Sequence, residues 1–299
     1  MGGTLRRGGR GGLTLGPRFV YPLKGAATRL RSTAWSARGR VHAADGLRVL
    51  FYHRISDDRD ELAVTPKSFA EQMEVLAAAR LQGVDVATAV NMLIAGELDP
   101  RIVALSFDDG YRDVAVEALP ILERHRFTAT VFLATAVTDG RVCLYWYNDQ
   151  PPLLTWDEVR VLDGGTLRFE CHTVTHPNLL LLDEAGARAE IVDGKRELEA
   201  RLGRESQIFC YPAGLFRERE CRLVREAGFR AATSCEPGLN GLGSDLFELR
   251  RTQIDARDSL LDFRAKVAGA HDAPLPFRGL WRRFRYGADV GRPRAAGRA

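Results

Sequence analysis

The chain predicts an α/β barrel of about seven strand–helix units around one core, spanning residues 46–275 as a single domain. Three observations carry this reading. Short apolar runs alternate with helix-period segments from residue 47 onward, as in successive parallel β/α units. Runs such as Ile102-Val103-Ala104-Leu105 are continuously apolar, which suits strands covered on both faces. No internal repeat and no clear interdomain linker breaks the alternation.

The elements follow in order. Leu47–Tyr52 reads as the first strand and ends at His53-Arg54. Thr65-Pro66 is an N-cap and first-turn signal, and the helix after it places Phe69, Met73, Leu76 and Ala77 on one face. Asp85–Ala95 reads as a short helix and Ile102–Phe107 as a strand. Asp113–His125 is amphipathic, with Pro120 predicting a kink or an early boundary. Thr128–Ala134 is the next strand, and Leu144–Pro152 is a loop rich in Tyr, Trp and Pro. Thr155–Leu162 reads as a helix, Leu167–Cys171 as a strand and Asp183–Leu202 as a long helix. The last units are strands at Gln207–Tyr211, Ala231–Ser234 and Glu248–Ile254, with helices at Arg219–Ala227 and Leu260–Val267.

The charge is unevenly spread. Residues 1–48 hold ten Lys/Arg against one acid, and residues 277–299 hold seven Arg against one Asp. The segment between them is therefore net negative, although the whole chain is +4. An acidic body argues against a nucleic-acid groove, so no nucleic-acid partner is expected. Residues 1–45 read as a flexible basic leader. Residues 276–299 read as a basic tail, in which Phe277-Arg278-Gly279-Leu280-Trp281-Arg282-Arg283-Phe284-Arg285-Tyr286 interleaves arginines with rings. Such a segment suits peripheral contact with an anionic membrane. No stretch reaches the length of a membrane span, and no apolar region long enough for a secretory signal follows Arg6-Arg7. The five cysteines, Cys143, Cys171, Cys210, Cys221 and Cys235, form no CxxC pair or disulfide framework. A cytoplasmic or peripheral-membrane location is expected.

The chemistry-bearing residues gather at predicted strand ends. Ser106-Phe107-Asp108-Asp109-Gly110 puts two carboxylates where one strand stops, and His172-Thr173-Val174-Thr175-His176 closes another. One carboxylate and two imidazoles suit a divalent cation such as Zn²⁺, with positions left for water and substrate. The remaining carboxylate can act as a base. His53 and Tyr211-Pro212 also fall at strand ends, the face where parallel β/α barrels collect functional groups. Singly each motif is weak: Asp-Gly is also a turn signal, and two histidines four apart arise by chance. Tyr145, Trp146 and Tyr147 suit either a sugar-stacking platform or packing in the core.

In these motifs the chain resembles the polysaccharide deacetylase family, the NodB-type carbohydrate esterases, over roughly residues 47–270. Ser106–Gly110 matches the family's Thr/Ser-Phe-Asp-Asp-Gly, His172–His176 its His-Ser/Thr-x-x-His, and Tyr211–Gly214 its Tyr-Pro-x-Gly. Phe51-Tyr52-His53-Arg54-Ile55 is similar to the opening strand of the poly-N-acetylglucosamine deacetylase subgroup. The resemblance implies a distorted (β/α)₇ barrel that removes an acetyl or other acyl group from an amino-sugar glycan. It implies one metal ion, Zn²⁺ first and Co²⁺ or Ni²⁺ next, on Asp109, His172 and His176. Asp108 would be the general base, and the backbone N–H of Ala213 an oxyanion donor. Tyr211, Pro212 and Gly214 join Tyr145 and Trp146 as expected substrate contacts. Relatives often work outside the cytoplasm. The other readings are a deformylase or deacylase of a small or lipid-linked amino sugar, and an inactive carbohydrate-binding barrel.

Three departures stand out. Cys210 occupies the position, two residues before the Pro, where the family often has an orienting Arg. Neither an Asp-x-x-Asp-Trp segment nor a late Leu-x-His is present. Arg250 or Arg251 is expected to take over part of the orienting role, with Arg251 also counted among the substrate contacts. His53 is the expected general acid, and His271 reads as an exposed tail residue.

Overall fold

The computed structural model describes residues 20–36, 41, 45–273 and 294–295. Seven parallel strands set the architecture: β1 (Leu47–Tyr52), β2 (Ile102–Asp108), β3 (Ala129–Leu133), β4 (Leu167–Cys171), β5 (Ile208–Cys210), β6 (Ala231–Thr233) and β7 (Thr252–Gln253). Strands β1 to β6 lie side by side in chain order. Leu249, just ahead of β7, bridges Thr233 in β6, and β7 pairs with β1 through Leu50↔Thr252. The sheet thereby returns to its first strand as a distorted (β/α)₇ barrel, as expected. Strands β1 and β2 are buried at every position, which explains why they read as unbroken apolar runs.

Among the described residues the longer helices, α1 (Val20–Ser36), α2 (Pro66–Ala78), α3 (Val86–Ala95), α4 (Leu119–His125), α5 (Trp156–Leu162), α6 (Glu184–Leu202), α7 (Glu218–Glu226) and α8 (Leu260–Val267), accompany the sheet. Their starts follow local chemistry. Thr65 caps α2 ahead of Pro66, Asp85 caps α3 and Asp183 caps α6. Thr155 with Glu158, and Ser259 with Asp262, form capping boxes on α5 and α8. The segment predicted as one helix at Asp113–His125 is two pieces, a π-helical turn at Val114–Ala118 and then α4, with Pro120 in the first turn of the second. The strand predicted at Glu248–Ile254 shortens to Thr252–Gln253, because Leu246–Glu248 forms a 3₁₀ turn.

Two differences concern the ends. Part of the expected leader is the helix α1, which packs against α8. His271 is buried rather than exposed, with its Nε2 3.1 Å from Oγ of the buried Ser32 in α1. The basic aromatic segment at 276–299 lies outside the described residues except for Arg294–Ala295, which pair antiparallel with Val142–Cys143. No helix among the described residues is long and apolar enough to cross a membrane.

Candidate active site

The turns after β2, β4 and β5 converge at the C-terminal end of the barrel. Their backbones are strained in a shared way. Asp109, Thr173, His176 and Ala213 adopt positive φ of 73°, 72°, 57° and 53°, a region costing non-glycine residues roughly 1–2 kcal/mol each. Such strain clusters at functional sites and persists only where surrounding structure imposes it. Here Thr173 Oγ1 accepts the His176 N–H at 3.0 Å, and Glu190 of α6 accepts the N–H groups of Val174 and Thr175 at 3.0 and 2.9 Å. Gly110 is also required: at φ +75°, an added Cβ would meet Leu133 Cδ2 at 2.4 Å.

Asp109 Oδ1 lies 3.6 Å from His172 Nε2 and 3.5 Å from His176 Nε2. One carboxylate oxygen and two ring nitrogens thus face a common point. His172 Nδ1 sits 2.7 Å from the Cys210 carbonyl oxygen. Donation to that carbonyl fixes the tautomer that leaves Nε2 a lone pair. Burial lowers the His172 pKa to about 4 and takes His176 well below the ordinary value, so both rings are neutral. Burial, then the charge of Asp108, pushes the Asp109 carboxyl well up. A cation at this point would reverse that penalty. The buried Asp109 Oδ1 has no hydrogen-bond partner among the described residues, so the donor set fits a divalent metal. Asp108, His172 and Cys210 also lie close enough to share an ion, but Asp108 is already engaged.

Its partner is Arg251. The guanidinium donates to Asp108 from Nη1 at 2.7 Å and from Nη2 at 2.9 Å, a two-pronged ion pair. Arg251 is in turn held by the Ser234 carbonyl at 2.8 Å and lies over the Phe51 ring at 4.3 Å. Burial pushes Asp108 up, but the Arg251 charge and hydrogen bonds outweigh it and bring the carboxyl down to about 2. Two adjacent aspartates are thus driven apart: Asp108 is a fixed carboxylate, and Asp109 is the one open to a cation.

Residues 95–232 match the family model for polysaccharide deacetylase. Over that segment the chain is similar to the polysaccharide deacetylases. It is 25% identical over 209 residues to YxkH of Bacillus subtilis, a polysaccharide deacetylase by name, covering 70% of this chain and 71% of that protein. Among solved structures, IcaB from Ammonifex degensii superposes with a TM-score of 0.65 at 22% identity, covering 78% of this chain and 99% of that one. The Streptococcus pyogenes deacetylase PplD, solved with acetate, gives 0.63 at 21% identity, covering 71% and 93%. At these identities the solved structures show the shared fold.

Within the barrel the residues expected at the site divide. Asp108, Asp109, His172 and His176 come together. His53, at the end of β1, feels the charges of Asp108 and Arg251, and burial lowers its pKa. Trp146 packs against His176 with ring centroids 5.0 Å apart, and Tyr145 packs on Trp146 at 4.8 Å. The other expected substrate contacts are placed as follows. Arg251, counted as a substrate contact, is fully buried on Asp108, because closure of the barrel sets it beside β2. Tyr211 turns its side chain away from the site, donating its hydroxyl to the Phe247 carbonyl at 3.0 Å. Pro212 and Gly214 are buried in the turn rather than presented on a surface. The sequence reading missed Tyr111, a fully buried residue whose hydroxyl works against burial to lower the Asp109 pKa. Its place directly after Gly110 was the available signal.

Proposed function

We propose that this domain is a metal-dependent hydrolase that removes an N-acetyl group from an amino sugar of a glycan or glycan intermediate. The observation that carries the reading is the split carboxylate pair: Asp109 faces His172 and His176, while Asp108 is locked by Arg251. Asp109, His172 and His176 would hold the ion, with Zn²⁺ favoured by two nitrogens and one oxygen, and Co²⁺ or Ni²⁺ as substitutes. A divalent cation there supplies Lewis acidity, polarising an acyl carbonyl and lowering the pKa of a water.

The chain's own groups do the rest. Asp108, ionised at every physiological pH, accepts the proton of the attacking water. Arg251 holds that carboxylate in one orientation. His53 returns a proton to the leaving amine nitrogen. The Ala213 N–H, in the turn after β5, is the proposed donor to the oxyanion. The basic segment 277–299 is proposed to bring the domain to an anionic membrane surface, in keeping with a cytoplasmic or peripheral-membrane location.

The deciding experiment compares Asp108→Asn with His176→Ala. Asp108→Asn should retain one zinc per chain while acetate release from N-acetylglucosamine oligomers falls by roughly 10²–10⁴-fold. His176→Ala should lose both metal and activity. A metal-free Asp108→Asn beside a zinc-replete Asp109→Asn would reverse the two roles.

A further inference from the structure

The proposed metal ligands are almost shut off from solvent. The side chains of Asp109 and His172 are each 2% exposed, and that of His176 is 8% exposed. Residues 142–152 reach the cluster through Trp146 on His176. This strap follows the helical turn Thr135–Thr138 and ends beside Leu153, which bridges Tyr111. Leu144 anchors it in an apolar cluster with Tyr111, Ala134 and Val137. Trp146 projects from it onto His176.

Tyr147 ties the strap across to another loop. Its hydroxyl donates to Asp60 Oδ2 at 2.5 Å and lies 3.4 Å from the Tyr111 hydroxyl. Asp60 sits in the loop after β1, where the buried Arg54 guanidinium holds it at 3.0 Å while also pairing with Asp58 and Asp113. Loops following β1 and β3 are thus joined above the cluster by one hydrogen bond to an ionised acceptor, among the stronger kinds in a protein.

The geometry points to Tyr147 and Asp60 as specificity-determining residues. Their bond keeps the strap and Trp146 over Asp109, His172 and His176. The site then takes a free or chain-terminal N-acylated amino sugar and excludes the interior units of a long glycan, which would need a cleft open on both sides. This deepens the deacetylase reading and rests on it. Neither residue is proposed to touch the reacting atoms; both act by positioning the strap.

Tyr147→Phe removes the hydroxyl and keeps the ring. Backbone hydrogen exchange should quicken at residues 142–152 and stay unchanged in the barrel strands. With zinc-loaded protein, kcat/KM for the N-acetylglucosamine pentasaccharide, relative to that for the disaccharide, should rise about tenfold. Asp60→Asn should move both readouts the same way. Unchanged exchange in the strap, or faster exchange with an unchanged length preference, overturns the proposal. So does a wild-type protein that already prefers the pentasaccharide. If zinc-loaded wild type releases acetate from neither sugar, the deacetylase reading falls, and the sugar preference with it. Hydrogen exchange and the rate at which a chelator strips zinc then judge the strap alone: both faster in Tyr147→Phe upholds its closure over the cluster, and both unchanged overturns it.

Discussion

Arg251→Gln is the perturbation that tests the site most directly. It removes one partner of an ion pair whose side chains are 0% and 4% exposed. Stripping one partner from a buried pair costs roughly 3–5 kcal/mol, because the other charge is left uncompensated. A second route gives a similar size. Burial raises the Asp108 carboxyl, the Arg251 charge and hydrogen bonds more than offset it, and the net fall from 3.8 to about 2 is roughly 2.5 kcal/mol at 1.36 kcal/mol per pKa unit. The sign follows: a carboxyl with a depressed folded-state pKa contributes fully above pH 3.8, and the contribution fades as pH falls towards 2. A loss near 3 kcal/mol should lower Tm by roughly 6–12 °C at neutral pH for a domain of this size. The deficit should shrink below about pH 3. Zinc content should be unchanged, since the donor set is Asp109, His172 and His176. Turnover should fall by on the order of 10²-fold as the base loses its orientation. Arg251→Lys, which keeps the charge without the fork, should lie between. Scanning calorimetry across pH, zinc analysis and acetate release read the three effects. A Tm within about 2 °C of wild type, together with unimpaired turnover, would refute the positioning of Asp108 by Arg251.

Three further outcomes follow. His53→Gln should remove the alkaline limb of the pH–rate profile, a limb expected below the ordinary imidazole value of 6.5 because burial lowers the His53 pKa; a limb that persists would assign the leaving-group proton to another residue. Burial and the charges of Lys266 and Arg31 bring His271 down to about 4, so its contribution is intact above pH 6.5 and lost as pH falls towards 4; His271→Gln should flatten that part of the Tm–pH curve, and an unaltered slope would remove the residue from the account. Deleting residues 277–299 should abolish salt-sensitive co-sedimentation with anionic vesicles and leave turnover of a soluble N-acetyl sugar in place; equal sedimentation of full-length and truncated protein would deny the tail that role.

The sequence alone determined what local pattern can carry. Strands β1 and β4 and helix α8 begin and end where the apolar periodicity and caps predicted. The paired aspartates and the two histidines were legible because a barrel gathers strand ends at one face, so order along the chain becomes proximity. Tertiary structure decided the rest. Arg251 reaches Asp108 across 143 positions only because β7 closes against β1. A guanidinium near two possible roles gives no hint in sequence of which carboxylate it will meet. Tyr147 meets Asp60 across 87 positions, through two loops with no periodicity to read. His271 looked exposed because it follows the last helix, yet its partner Ser32 lies 239 positions away in a helix the charge pattern had marked as leader. Hydrophobic period is written within a few residues, whereas pairing of buried polar groups depends on which elements the closed barrel brings together, and single-sequence pattern does not encode that register.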